Sequence, residues 1–562
     1  MANAQFAIGV DYGTNSVRAL IADINSGEEV ATSVWPYAHG TDGIILDDRE
    51  PNLARQHPSD YAEGFVRCVG EAVRMAASRP NFSASRVVGL GIDTTGSTPL
   101  PVDRDGVPLA MRQEFASEPA AMAWLWKDHT SHAEAAEITK VAAEGGLPYL
   151  AKCGGTYSSE WYWSKILHCE RTSPKVAAAA YSWVELCDFV TGFVTGRSDP
   201  HVMSRSVCAA GHKALYHPSW DGLPAAAFLE RLSPGLSRFR QRHAARAVPS
   251  NQTAGGLEAG LAARVGLPPG LPVAVGAFDA HMGAVGAGIG PGTLVKIMGT
   301  STCDCMVAPL SRDLPDIPGV CGIVPESIVP GMHGIEAGQS AVGDIFNWFV
   351  NRVAPSAYGP APEMHAKLSA AAAKLRPGES GLVALDWHHG NRTVLVDPML
   401  TGMMIGETLG TTPAEMYRAL IEATAFGALK IIDRIASYGV GIDRVVNCGG
   451  IAEKNPLVMQ IYADVCGRPM YISRSAQTCA LGAAIFGSVV GGGHADVASA
   501  QRAMTGVKPE VCRPQPGNAE AYRRLYAVYT SLHDAFGTRT GGPLAGIMKE
   551  LIDIRQSSRK RS

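Results

Sequence analysis

A short apolar β-type run, a Gly-Thr-polar-Ser/Thr turn and a second β-type run occur twice in this chain. Gly13-Thr14-Asn15-Ser16 joins the first pair, and a shift of 286 positions places Gly299-Thr300-Ser301-Thr302 on it, between runs at 294–298 and 303–308. Such self-similarity at long range is the mark of a duplicated unit. In the first copy the turn Asn25-Ser26-Gly27 leads into a third strand over 28–34, followed by a helix over 58–77 and a buried strand over 87–93. Three meandering strands, a crossover helix and a further strand predict a mixed sheet. With 562 residues the chain exceeds what one core holds, and the glycine-rich bend at 288–292 divides it into domains 1–290 and 291–562.

Composition narrows the function. Lys plus Arg number 49 against 52 Asp plus Glu, a net charge of −3, which gives no reason to expect nucleic acid or an anionic membrane as partner. The twelve cysteines include no C-x-x-C, which suits a reducing, cytoplasmic location with cysteine used as a small apolar residue. The opening residues lack the basic start of a signal peptide, and the apolar stretch 271–292 is interrupted by Asp279, His281 and several glycines, a poor membrane span. The basic stretch 555–562 reads as a frayed terminus.

Neither G-x-x-x-x-G-K-[ST], G-x-G-x-x-G nor H-E-x-x-H is present, so any nucleotide phosphate is held by other means. Hairpin tips with bare amides and hydroxyls offer one, although a single such tip is more often only a turn. Asp11 precedes the first tip, where the second copy has Ile297. It reads either as a Mg²⁺ ligand beside phosphates or as an edge-strand acid bonded to its turn. Asp279, after the apolar run 272–278 and before a small-residue helix, is either an N-cap or the general base of phosphoryl transfer. Polar clusters at 93–97, 126–129, 158–161, 212–213 and 336–339 suit a polyol pocket, while each alone reads as surface or capping chemistry. Thr412-Pro413-Ala414-Glu415 predicts a capped helix running to Gly439, and Asn455-Pro456 starts another that stops at Gly467. The strand at 445–448 ends in Gly449-Gly450 and aims bare amides above the turn.

Taken together, Asp93-Thr-Thr-Gly-Ser-Thr-Pro99, Leu125-Trp-Lys-Asp-His-Thr130, Tyr157-Ser-Ser-Glu-Trp161, Gly276-Ala-Phe-Asp-Ala-His-Met-Gly283, Gly334-Ile-Glu-Ala-Gly-Gln-Ser340 and Gly449-Gly-Ile-Ala-Glu-Lys-Asn455 resemble the FGGY carbohydrate kinases nearly end to end. The resemblance implies an α/β actin-like ATPase (ribonuclease H-like) fold: two domains, each a mixed β-sheet flanked by helices, with the active site in the interdomain cleft. It implies ATP-dependent phosphorylation of a sugar, L-ribulose at its 5-hydroxyl, as in L-arabinose breakdown, with ATP and Mg²⁺ as cofactors. D-Ribulose, ribitol or D-xylulose as acceptor, and a non-catalytic actin-like nucleotide switch, remain the alternatives. By family position Asp279 is the catalytic base and Asp11 the Mg²⁺-linked acid. Thr14, Asn15, Ser16, Gly299, Thr300 and Ser301 are the phosphate clamps, Gly449, Gly450 and Asn455 touch adenosine, and Gly96, Lys213, Glu336 and Asp279 meet the sugar. The partners implied are sugar and ATP, with a homodimer left open. His389, in Asp386-Trp-His-His-Gly-Asn-Arg392, departs from the family's usual Asn before the glycine and leaves that loop's role open.

Overall fold

The structure, a computed structural model, describes residues 4–243, 246–538 and 541–559. The first sheet begins with β1 (Phe6–Tyr12), β2 (Ser16–Asp23) and β3 (Glu29–Pro36), an antiparallel meander whose inner strand β1 is buried along its whole length. Helix α1 (Pro58–Ala76) crosses over to β4 (Val87–Thr94), which pairs parallel to β1. After a helical insertion that includes α2 (Val207–Lys213), the chain returns through β5 (Thr253–Gly256), β6 (Pro272–Ala274) and β7 (Ala277–Phe278). The result is a seven-stranded mixed sheet ordered β5-β6-β4-β1-β2-β3, with β7 also on β4. Helix α3 (Asp279–Gly286) leaves directly from β7.

The second sheet repeats this plan. Strands β8 (Gly292–Met298) and β9 (Thr302–Pro309) form the second hairpin, followed by β10 (Gly322–Pro325) and β11 (Met332–Ala337). Helix α4 (Pro413–Ser437) then leads to β12 (Ile442–Cys448), parallel to β8 as β4 is to β1. Helix α5 (Pro456–Cys466) and β13 (Met470–Ile472) complete a six-stranded sheet ordered β10-β11-β9-β8-β12-β13. The helix ends expected from sequence are present. Thr412 and Glu415 form a reciprocal capping box, Asn455 accepts from the Val458 amide, and Gly467 closes α5 in the left-handed conformation.

The two sheets are joined through small residues. Helix α6 (Thr478–Val490) follows the second sheet in sequence but lies on β1 and β4 of the first, and it crosses α3 at backbone contact. A Cβ on Gly482 would fall on the Met282 carbonyl, and one on Gly286 on that of Thr478, so only glycine permits this crossing. The final helix, α7 (Ile547–Arg559), takes in most of the stretch expected to be frayed; residues 560–562 lie outside the described residues. Cys303 and Cys305 share one face of β9 with their Sγ atoms 3.9 Å apart, and all twelve cysteines are free. Among the described residues no helix is long and apolar enough to cross a membrane.

Candidate active site

A cavity of about 770 Å³ opens between the two sheets. From the first half it is lined by Thr95, Gly96, Trp126, Ser158 to Trp161, Lys213 and Asp279, and from the second by Gly299, Thr300, Ser301, Glu336, His389 and Arg392. All five polar clusters expected around a sugar therefore contribute, through Thr95 and Gly96, Trp126, Lys127 and His129, residues 158–161, Lys213 and Glu336. Among the remaining members, Asp128 and Gln339 are structural. Asp128 is fully buried against Arg55 and accepts from the Ala54 amide, while Gln339 bridges Lys296, Asp386 and the Thr424 carbonyl.

Gly96 is positioned by packing: a Cβ there would strike the Phe278 ring. Its loop is anchored from below, where Glu185 accepts from the Ser97 hydroxyl and the Thr98 amide, and Lys165 donates to the Ser97 carbonyl at 2.9 Å. Lys213, the last residue of α2, donates to Glu336 Oε1 at 2.9 Å across the cleft. Burial works against the charge on Glu336, but Lys213 and the neighbouring histidines outweigh it and hold its pKa well below the usual carboxylate range. Trp161 and Phe278 flank the Lys213 ammonium at 5.4 and 5.8 Å from their ring centroids, an apolar and cationic wall suited to a polyol.

Asp279 is the first residue of α3; the cap position belongs to Phe278, so the N-cap reading is set aside. One carboxylate oxygen, Oδ1, accepts from the Ala280 amide at 2.7 Å. Burial and the nearby charge of Asp11 push its pKa up to about 7. A carboxylate of that basicity in a cleft is suited to proton abstraction near neutral pH.

Asp11 and Asp93 stand opposite each other on β1 and β4. Asp11 pairs with Arg18 at 3.3 Å, whereas neither carboxyl oxygen of the fully buried Asp93 has a hydrogen-bond partner of good geometry. Burial and the proximity of Asp11 and Asp279 raise the Asp93 pKa well above normal. A buried carboxyl without a partner is costly, and two of them side by side are repulsive unless a proton or cation intervenes. These hard oxygen donors fit Mg²⁺. Cys479, whose thiol also reaches this group, is kept protonated by burial and does not suit that ion. Asp93 opens the 93–97 cluster that suits a polyol pocket, but its neighbour in register, not visible until the strands pair, places it in this acidic group.

The two hairpin tips occupy different places. Gly299, Thr300 and Ser301 line the cavity, and among the described residues nothing accepts from the Thr300 and Ser301 amides. The tip is held by the amides of Val342 and Gly343, which donate to the Thr300 and Gly299 carbonyls at 2.8 and 3.1 Å. The first tip, by contrast, is absent from the cavity lining and touches it through Trp126, whose Nε1 donates to Thr14 Oγ1 at 3.1 Å. The Asn15 amide donates to the Asp42 carbonyl at 2.6 Å, and the Ser16 carbonyl accepts from Gly13. Gly449, at φ 96°, presses the end of β12 onto the Met298 carbonyl, and Gly450 opens the short helix Gly450–Lys454. The Asn455 side chain caps α5 and donates to Ser369 Oγ at 3.2 Å, so both of its polar atoms already have protein partners.

The loop whose role the sequence left open, and one histidine with no role assigned, also meet the site. Arg392, in the loop with His389, reaches across the cleft to Glu160 at 3.4 Å, and His389 stands edge-on to His129 with centroids 6.3 Å apart. The departing loop is thus a wall of the cavity. His281, two residues after Asp279, faces Glu336 from beneath. His212, His281 and Glu336 offer three ligand atoms in one place, but the two rings stack at 4.6 Å and 23°, so their lone pairs run side by side and do not converge on one ion.

The chain matches the model of the FGGY family of carbohydrate kinases, N-terminal domain, over residues 6–286, and that of the C-terminal domain over 294–490. It is 41% identical to the ribulokinase of Shouchella clausii over 570 aligned positions, covering 99% of each chain. It is likewise 41% identical to the ribulokinase of Mycolicibacterium smegmatis, covering 99% of this chain and 98% of that one. Xylulose kinase from Rhodospirillum rubrum superposes with a TM-score of 0.76 at 23% identity over 95% of this chain and 99% of that one. Plasmodium falciparum glycerol kinase with ADP gives 0.74 at 14% over 94% and 98%. These distant structures share the actin-like fold; the motif-bearing cleft and the two family matches together establish that the chain belongs to the FGGY family of carbohydrate kinases.

Proposed function

We propose that this protein transfers the γ-phosphoryl group of ATP to the 5-hydroxyl of L-ribulose. The observation that carries this reading is the convergence, in one cavity, of a neutral-range carboxylate at Asp279, the Lys213–Glu336 pair and the free amides at Thr300 and Ser301. Near-full-length similarity to ribulokinases selects ribulose among the sugars of the family.

In the proposed reaction Gly96, Lys213 and Glu336 hold the ketose, with Trp161 and Phe278 as its apolar walls. The Asp279 carboxylate accepts the 5-hydroxyl proton as that oxygen attacks in line. The amides of the Gly299-Thr300-Ser301 turn hold donor phosphates, and Thr14, Asn15 and Ser16 approach them from the other sheet. Gly449, Gly450 and the backbone before Asn455 lie toward the adenosine; the Asn455 amide itself serves the helix cap. Asp11, with Asp93 beside it, would hold Mg²⁺, which when bound would neutralise phosphate charge. Arg392 and Glu160 join the two walls of the pocket, which favours exclusion of water that would compete as acceptor.

The test is ADP release with L-ribulose, D-ribulose, D-xylulose and ribitol at equal concentration, with the product's phosphate position read by ³¹P–¹H correlation. L-Ribulose is expected to be consumed fastest and to carry phosphate on C5. A faster alternative sugar, or ADP release indifferent to sugar, would reject the reading.

A further inference from the structure

Glu336 belongs to the second sheet, yet the side chains that meet its carboxylate come from the first half. Lys213 of α2 donates to Oε1 at 2.9 Å. Two imidazoles stand at ion-pair distance from Oε2, His281 Nε2 of α3 at 3.3 Å and His212 Nδ1 of α2 at 3.5 Å, neither aligned as a hydrogen bond, so their contact with the carboxylate is electrostatic. His212 spends its other nitrogen on Ser327 Oγ at 3.0 Å. His281 has its other nitrogen 3.0 Å from Cys208 Sγ and its ring stacked on His212. It is 2% exposed and has no room to swing.

A carboxylate held at one oxygen turns freely about its last torsion, because that rotation is broad and shallow. A second hold on the other oxygen fixes the plane. Here that hold comes from the helix turn that carries Asp279, so the group that receives the sugar and the group that takes its proton share one rigid support. Burial alone would strip charge from both imidazoles. At His212 it succeeds and lowers the pKa, whereas at His281 the Cys208 and Glu336 neighbours outweigh it and raise the pKa well above the ordinary imidazole value.

We propose that His281 is a positioning residue, which fixes the Glu336 carboxylate for sugar binding and ties its orientation to the helix that bears Asp279. The proposal rests on the sugar-kinase reading above and adds to it a residue that acts through Glu336. Its signature is a split between kinetic parameters. His281→Leu is expected to raise KM for ribulose about 10-fold, the effect of losing a hold on a charged group, with kcat and the KM for MgATP nearly unchanged. His281→Gln, whose amide reaches as far as Nε2, is expected to restore most of the affinity. In a Glu336→Gln background His281→Leu is expected to add little, since the group it orients is already altered.

Full additivity in that cycle, failure of the Gln variant to rescue, or an unchanged KM would each overturn the proposal. Should His281→Leu yield no folded protein, Cys208→Ala keeps the imidazole but removes its Nδ1 neighbour. It is expected to raise the same KM about threefold, and no change there also overturns the proposal. Wild-type turnover is measured first. If another ketose is consumed in place of ribulose, the substrate reading fails, and the same cycle on that ketose still decides the role of His281.

Discussion

In the first sheet Asp11 of β1 stands opposite Asp93 of β4, and in the second sheet the equivalent ladder positions hold Ile297 of β8 and Cys448 of β12. The backbones repeat; the side chains do not. The second sheet has its own buried carboxylate, Asp304, but Lys296 reaches both of its oxygens at 2.7 and 2.8 Å, and Thr302 and Gln339 complete the ammonium's shell. Asp304 is a satisfied structural pair. Asp93 is left without a good partner, and Asp11 has only one arginine at 3.3 Å. One copy of the unit has settled its charges internally, while the other keeps unsatisfied oxygen donors buried near Asp279. Unsatisfied buried polar groups persist where something else is meant to complete them.

The contrast can be broken at several points. Asp279→Asn removes the base from the acidic half and is expected to lower kcat by at least ~10²-fold while sugar binding, measured by calorimetry, is retained. Lys296→Met in the other half should act on stability instead. Stranding Asp304 without its cation is expected to cost about 3–5 kcal/mol in denaturant unfolding, the usual effect of breaking a buried pair. Asp11→Asn is expected to leave the melting temperature near wild type but to raise the Mg²⁺ concentration for half-maximal activity about 10-fold or more, also readable by Mn²⁺ binding.

The acid limb of kcat/KM supplies a further check. Asp279 must be ionised to accept a proton, and its pKa is pushed up to about 7 by burial and Asp11. The rate is expected to fall as pH drops through about 7, and a flat profile down to pH 5 would speak against this base. The smallest effect separates the two tips. Thr14→Ala gives up one hydrogen bond, that from Trp126, and is expected to cost about 1 kcal/mol in the affinity for MgATP.

Much of this arrangement was legible in the sequence where the signal is local. The duplicated hairpins, the capping box at Thr412 and Glu415, and the Asn455-to-Gly467 helix follow from residues a few positions apart, and the structure holds them as read. Asp279, Lys213 and Glu336 were found through motifs, and the cavity brings them together. What escaped depends on long-range register. Nothing in the segment 93–97 shows that Asp93 will lie beside Asp11, because that follows only from the parallel pairing of β1 with β4. The hold of His281 on Glu336, and of Arg392 on Glu160, likewise exists only once the two halves close on each other. Asn455 shows both cases: the local capping signal accounts for its oxygen, while its bond to Ser369 is long-range.

The most direct measurement is a crystal structure with ribulose and a non-hydrolysable ATP analogue bound together. The account predicts the Asp279 carboxylate within hydrogen-bond reach, about 2.6–3.2 Å, of the ribulose 5-oxygen, with the terminal phosphate in line beyond it. A carboxylate turned away from that oxygen, or a different hydroxyl facing the phosphate, would contradict it.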